Sequence, residues 1–312
     1  MNTSLGAIQG PVFRLARIIT AHLRAFGIAL ALTLLLAGCS TLQLAYNQAH
    51  TVLYWWIDGY ADLNDPQSAR LRQDIEGLMA WHRQQELPGY AQRLRQWRGM
   101  ASQDLSAEQV CREADAVRAA TGRLLERGHE PLTRLVLTLS AAQLDHLQRH
   151  QTKSNEGFEK DFLRGSASDR LDRRLERTVD RYETLYGPLS DSQVALVRHS
   201  LQTSPFDASR ALAQRRERQS ELLTLIRQLQ AGPGRPPAAG DPVPRAAGQA
   251  LLGWLQRGLF PPATGGEAAA WVRHGCEAFA ELHNSTTAQQ RRHALQVLQE
   301  YESDLRALVT PH

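Results

Sequence analysis

Leu105-Ser106-Ala107-Glu108-Gln109-Val110, Leu139-Ser140-Ala141-Ala142-Gln143-Leu144 and Leu189-Ser190-Asp191-Ser192-Gln193-Val194 are three copies of one phrase, with a looser fourth at Thr286-Thr287-Ala288-Gln289. A Ser or Thr hydroxyl that accepts an orphan N–H three residues on, answered by a Gln that reaches back to the cap, is a capping box. The copies therefore predict helix starts capped by Ser106, Ser140, Ser190 and Thr286. The Leu ahead of each Ser predicts a staple-like contact with the apolar residue beyond the box.

Working outward from these starts, Val110, Ala114, Val117 and Leu124 recur at helical spacing, as do Val194, Val197 and Leu201, and Leu298, Tyr301, Leu305 and Leu308. Leu171, Leu175, Val179 and Tyr182 form a stripe on a highly charged segment, read as a solvated helix with ion pairs. Upstream, Leu42 to Tyr60 ends in Leu63-Asn64-Asp65-Pro66, where Asp65 can cap and Pro66 can open the next helix. Pro88 and Gly89 predict a kink or break. No segment alternates as a strand does, so the expected fold is all-α, a multi-helix bundle with capped helices and no sheet. One Pro/Gly/Ala-rich segment, 231–248, predicts a flexible loop leaving a single helical body.

The amino terminus has a different character. Arg14, Arg17 and Arg24 precede an apolar run to Leu36, which is a secretory leader too short to span a bilayer of roughly 20 helical residues. Leu36-Ala37-Gly38-Cys39 resembles the lipobox of bacterial lipoproteins, which implies removal of residues 1–38 and acylation of Cys39. Several acyl chains hold far more firmly than one, at about 0.8 kcal/mol per buried methylene, so the membrane is the first expected partner. Ser40, in place of an Asp, implies export to the periplasmic face of the outer membrane of a Gram-negative bacterium.

The full chain carries a formal charge of +4, but the leader takes three of its 36 basic residues and none of its 32 acidic ones, leaving 33 against 32. The basic patch that a nucleic-acid partner needs has no compositional support. Beyond Cys39 only Cys111 and Cys276 remain, and in an oxidising compartment they either pair or stand as separate buried thiols.

No GxSxG, HExxH, P-loop, GxGxxG, CxxC or SxxK motif occurs, so the expectation is binding rather than catalysis, with no cofactor and no metal. His146 and His150 share a helix face at metal-ligand spacing, yet their neighbours are polar and cationic, which suits a solvated face. His274, Cys276 and His283 form a looser cluster, and His82 continues an apolar stripe. The densest unusual stretch is Tyr54-Trp55-Trp56-Ile57-Asp58-Gly59-Tyr60. Its ordinary reading is core packing. Two functional readings stand beside that one: rings at the lipid headgroups and a hot spot for an envelope protein partner.

The lipobox followed by Tyr54, Trp55, Trp56, Asp58, Tyr60 and Gln67, then Trp81, His82, Arg83, Glu86, Leu87, Pro88 and Tyr90, resembles an uncharacterised proteobacterial lipoprotein family, domain of unknown function 6279. The resemblance continues in Leu282, His283, Ser285, Thr286, Thr287 and Gln290, and implies an all-helical lipoprotein without bringing an activity. The three LSxxQ copies are also similar to the LTxxQ phrase of periplasmic helical stress proteins, which implies a chaperone-like or envelope-stress alternative. A cell-wall or lipid enzyme is the remaining alternative and would need a cleft with convergent polar groups.

Overall fold

The computed structural model describes residues 41–232, 242–259 and 266–310. The expected leader, Cys39 and residues 233–241 lie outside the described residues. The chain divides into two compact units, Met1–Asn47 and Gln48–His312. Of the first, the described residues form the opening turns of α1; the second holds the rest of α1 and every later helix.

In order the helices are α1 (Thr41–Ala61), α2 (Asp65–Trp81), a π-helical turn (His82–Glu86), α3 (Leu87–Ala101), α4 (Ala107–Leu137), α5 (Ala141–Phe162), α6 (Ala167–Tyr186), α7 (Asp191–Thr203), α8 (Ala208–Gln230), α9 (Arg245–Leu259), α10 (Gly266–Asn284) and α11 (Ala288–Val309). Among the described residues there is no strand, so the fold is all-α.

Local chemistry explains the departures from expectation. Asn64, not Asp65, caps α2, because Gln67 stands three residues after Asn64 and completes the box. Thr287, not Thr286, caps α11 for the same reason, with Gln290 as the reciprocal partner. Pro88 does not break the chain. The π turn precedes it, and the proline falls in the first turn of α3, where no amide hydrogen is required. The loop expected to run to residue 248 ends sooner, since Pro244 leads directly into α9 at Arg245.

The boxes do more than start helices. Gln67 and Gln143, each the third residue of its helix, face one another and are buried. Gln67 Nε2 donates to Gln143 Oε1 at 3.3 Å and Gln143 Nε2 to Gln67 Oε1 at 2.7 Å. The second donor of each amide meets a carbonyl two residues before the other helix's cap: Thr138 O at 3.0 Å and Asp62 O at 2.8 Å. Gln193 and Gln290 repeat the arrangement, with reciprocal bonds of 2.9 and 2.8 Å and second donors on Ser285 O and Pro188 O. In all four, Oε1 also accepts its own cap's N–H. Each amide is thus saturated with two donations and two acceptances, which fixes its orientation. Asp62, with φ 50, turns the chain from α1 into α2, and Gly187, with φ 74, from α6 into α7.

Around the Gln67–Gln143 pair lies the larger core, with Tyr54, Leu71, Ile75, Leu144, Leu223 and Ile226 among its buried members. Near the Gln193–Gln290 pair the buried apolar cluster consists of Leu175, Val197 and Leu282. Polar and covalent links reinforce this second region. Cys111 of α4 and Cys276 of α10 are bonded, with Cα atoms 5.5 Å apart. Asn284 ties the start of α4 to the end of α10, accepting from Leu105 N at 2.8 Å and donating to Leu105 O at 3.0 Å.

Candidate functional site

The aromatic stretch of α1 is divided between core and solvent, as a helix must divide consecutive residues. Tyr54 is buried; its hydroxyl donates to Ser68 Oγ at 3.1 Å and the Arg72 guanidinium lies 3.5 Å from its ring centre. Tyr60 packs against His150 at 4.0 Å, and Asp58 accepts from Leu63 N at 2.9 Å, closing the turn after α1. Trp55, Trp56 and Val52 point outward and are 64%, 61% and 59% exposed. Tyr54, Asp58 and Tyr60 thus serve the fold, and Val52 joins the two tryptophans on the outer face.

His146 and His274 are held by backbone carbonyls, while His150 packs on Tyr60 and His146 with a buried Nδ1 that has no hydrogen-bond partner among the described residues. His146 Nε2 bonds Gly59 O at 3.0 Å, and His274 Nε2 bonds Ser200 O at 2.9 Å. Cys276 is in the disulfide. Among the described residues no group of three or more His, Cys, Asp or Glu side chains converges to hold a metal ion.

A concavity with mainly apolar walls lies between α3, α4, α10, α11 and the end of α6, with a volume of ≈ 420 Å³, in the range of small-molecule sites. Leu94, Trp97, Val117, Phe279, Leu298 and Tyr301 are among its walls. Helical spacing produces this lining: Leu94 and Trp97 are three apart on α3, and Leu298 and Tyr301 three apart on α11. The disulfide borders it, since Cys111 follows the lining residue Val110 and Cys276 lies one turn before Phe279.

Its polar groups are paired. Tyr186 OH and His283 Nδ1 are 2.9 Å apart, and His283 Nε2 lies 2.7 Å from Gln103 O. Burial pushes the Tyr186 phenol far above its ordinary range and pulls His283 below the ordinary histidine value, so the phenol keeps its proton and the imidazole stays neutral. The Nε2–H therefore donates to Gln103, and Nδ1 accepts from Tyr186. Glu113 accepts from Trp97 Nε1 at 2.8 Å and Arg93 at 2.7 Å. Burial would raise its carboxyl, but these donors outweigh burial and hold it below the usual range. The rest of the lining is apolar, so the named polar groups are held by one another and by the backbone within carbon walls.

A model of a family of unknown function, DUF6279, matches residues 59–235, more than half of the chain. The chain belongs to this family. No curated protein and no solved structure matches it. Within the matched span the DUF6279 region holds the Gln67–Gln143 pair, the π turn and the α3, α4 and α6 sides of the cleft, while α9, α10 and α11 lie beyond it. Two family-pattern residues have clear structural duties: buried Glu86 accepts from Arg123 Nε at 2.8 Å and Nη2 at 2.6 Å, and Pro88 sits just after the π turn. The Arg123 bonds are the main reason the Glu86 carboxyl lies below its usual range.

The capping phrases located the helix starts but did not reveal that their glutamines meet in pairs; four Gln residues in one register were the available signal. The Tyr186–His283 bond and the cleft had no signal in sequence spacing, because their residues are joined only by the tertiary fold.

Proposed function

We propose that this protein is a lipid-anchored, periplasm-facing helical protein of the bacterial outer membrane that acts by contact rather than catalysis, using the outer face of α1. The observation that carries this reading is the pair Trp55 and Trp56, with Val52, exposed on the helix that begins two residues after Cys39. Between Thr41 and Ile57 there is no Asp, Glu, Lys or Arg, so this face lacks the charge expected of a helix side bathed in water. Trp56 lies fifteen residues along α1 from Thr41, roughly 22 Å at 1.5 Å per residue. An α1 lying along the bilayer surface puts both indoles at headgroup depth, where Trp is favoured. No described helix is long and apolar enough to cross a membrane, which fits a surface contact rather than a span.

The chaperone-like alternative needs a broad exposed apolar concavity, whereas the ≈ 420 Å³ cleft has room for a single small ligand. The experiment is tryptophan quenching of the full lipidated chain in vesicles containing brominated phospholipid. Quenching should fall in Trp55→Gln/Trp56→Gln relative to the parent. Equal quenching in both removes the membrane reading, and cross-links from position 56 to a protein instead of lipid replace it with the partner reading.

A further inference from the structure

The geometry points to a second binding site, independent of α1: the cleft between α3, α4, α10, α11 and the end of α6 takes the hydrocarbon chain of a single-chain anionic amphiphile, with its head on the arginines of the α3–α11 seam. The interior supplies the first half of the argument. Its walls are almost wholly carbon, and its polar groups, Glu113, Tyr186 and His283, already have partners. An occupant that needed hydrogen bonds inside would find none free, whereas a methylene chain needs none.

The seam supplies the second half. Arg98 stands four residues after the lining residue Leu94, and Glu302 four after the lining residue Leu298, so the ionic cluster borders the lining along the same helix faces. There buried Glu302 pairs with Arg95, Arg98 and Arg306, while Arg93 pairs with Glu113. In these pairs four guanidiniums meet two carboxylates, so N–H donors outnumber carboxylate acceptors beside the apolar slot. Burial alone would raise the Glu302 carboxyl, but bonds from Arg98 and Arg95 hold it below the usual range, so Glu302 remains a single negative charge. Arg95 and Arg98 each give one bond to Glu302 and stay 62% and 35% exposed, so the guanidinium edges that Glu302 does not take are open to solvent. Such edges beside an apolar cleft suit a carboxylate or phosphate head, which accepts charge-assisted bonds. A neutral or cationic head gains nothing there.

The test uses the full chain in phosphatidylcholine nanodiscs, irradiated with dodecanoic acid carrying a diazirine, with labelled peptides mapped by mass spectrometry. Labelling should concentrate on peptides carrying Trp97, Val117 and Phe279. Dodecanoate and dodecyl phosphate should compete at concentrations at least tenfold lower than dodecanol, with dodecyltrimethylammonium weakest. Ala114 and Val117 line the cleft from exposed positions, so Ala114→Phe or Val117→Trp fills it without overpacking a core. Either variant, with native circular dichroism, should lose labelling tenfold or more. Arg98→Gln should reduce the preference for acid over alcohol below threefold while leaving diazirine-dodecanol labelling unchanged. Labelling spread evenly over the surface, undiminished labelling in both filled variants, or equal competition by all four heads would overturn the assignment.

Discussion

The Gln67–Gln143 and Gln193–Gln290 pairs are the same device in two different settings. Both join the first turns of two helices, and both saturate each amide with the partner amide, a capping N–H and a linker carbonyl. Around the first lie Tyr54, Leu71, Ile75, Leu144 and Ile226, the larger apolar cluster. Beside the second the cluster is smaller, Leu175, Val197 and Leu282 with Val179, Tyr182, Leu189, Val194 and Leu201 against it, and there the chain adds a disulfide, the Tyr186–His283 bond and the Asn284 clamp. Where the apolar cluster is smaller, directional bonds and a cross-link supplement it, and a cleft is left between the helices.

The largest way to break this contrast is to remove the cross-link. Cys111 and Cys276 enclose a loop of 165 residues, for which chain entropy gives roughly 5 kcal/mol, with 2 to 5 usual on loss of a native bridge. Cys111→Ser/Cys276→Ser should therefore lower the denaturant midpoint strongly. Hydrogen exchange should rise in α10 and α11 before α2 and α5. Uniform loosening of all helices would show that the two regions share one cooperative unit and would remove the contrast.

Replacing one glutamine at a time sharpens it. Gln193→Glu keeps the oxygen that accepts the Ser190 N–H but puts a second oxygen against Ser285 O and Gln290 Oε1, where two donors stood. A buried carboxylate with unmet neighbours should cost about 1 to 3 kcal/mol or more, partly recovered at acidic pH when the acid can donate. Gln67→Glu should cost a comparable amount by the same count of bonds. A chemical-denaturation series in which either variant matches the parent would show that the pairs are not structural.

The caps come next. Ser140→Ala, Ser190→Ala and Thr287→Ala should each cost about 0.5 to 2 kcal/mol, and Ser106→Ala should fall at the low end because its box is exposed. Thr286→Ala leaves the box intact and loses the hydroxyl's bond to His283 O and the one it accepts from Arg291 Nε at 3.2 Å. Should Thr287→Ala leave the thermal melt unchanged, the assignment of the α11 start would be wrong.

How much of this was legible follows from the range of each interaction. A capping box links residues three apart, so Ser106, Ser140 and Ser190 could be read directly, while the neighbouring candidates Asn64 and Asp65, and Thr286 and Thr287, left the register open by one. The all-α class followed from the same local signals. Gln67 and Gln143 are 76 residues apart and Gln193 and Gln290 are 97 apart, so their meeting depends on how the helices pack, which no local pattern encodes. The aromatic stretch was legible as unusual, yet which rings face outward depends on where the other helices lie. The cleft draws its walls from five helices and had no local trace.

The smallest effect is in pH, and its sign separates the two kinds of bond. His283 and His82 both lie below the ordinary histidine value, chiefly through burial; at His82 the charge of Glu86 offsets part of it. The unfolded chain therefore binds their protons first as pH falls. Their stability contribution is complete above about 6.5 and is lost as pH drops below it, by at most about 1.4 kcal/mol per pH unit for each group. Glu86 and Glu302 are held low by their arginines, so their contribution persists to about 4.5 and disappears only below that. His283→Asn should flatten the slope of stability between pH 6.5 and 5 while leaving the loss below 4.5 in place. An unchanged slope in that upper window would place the titrating group elsewhere, and the Tyr186–His283 bond would then be no part of what makes the second region sensitive to acid.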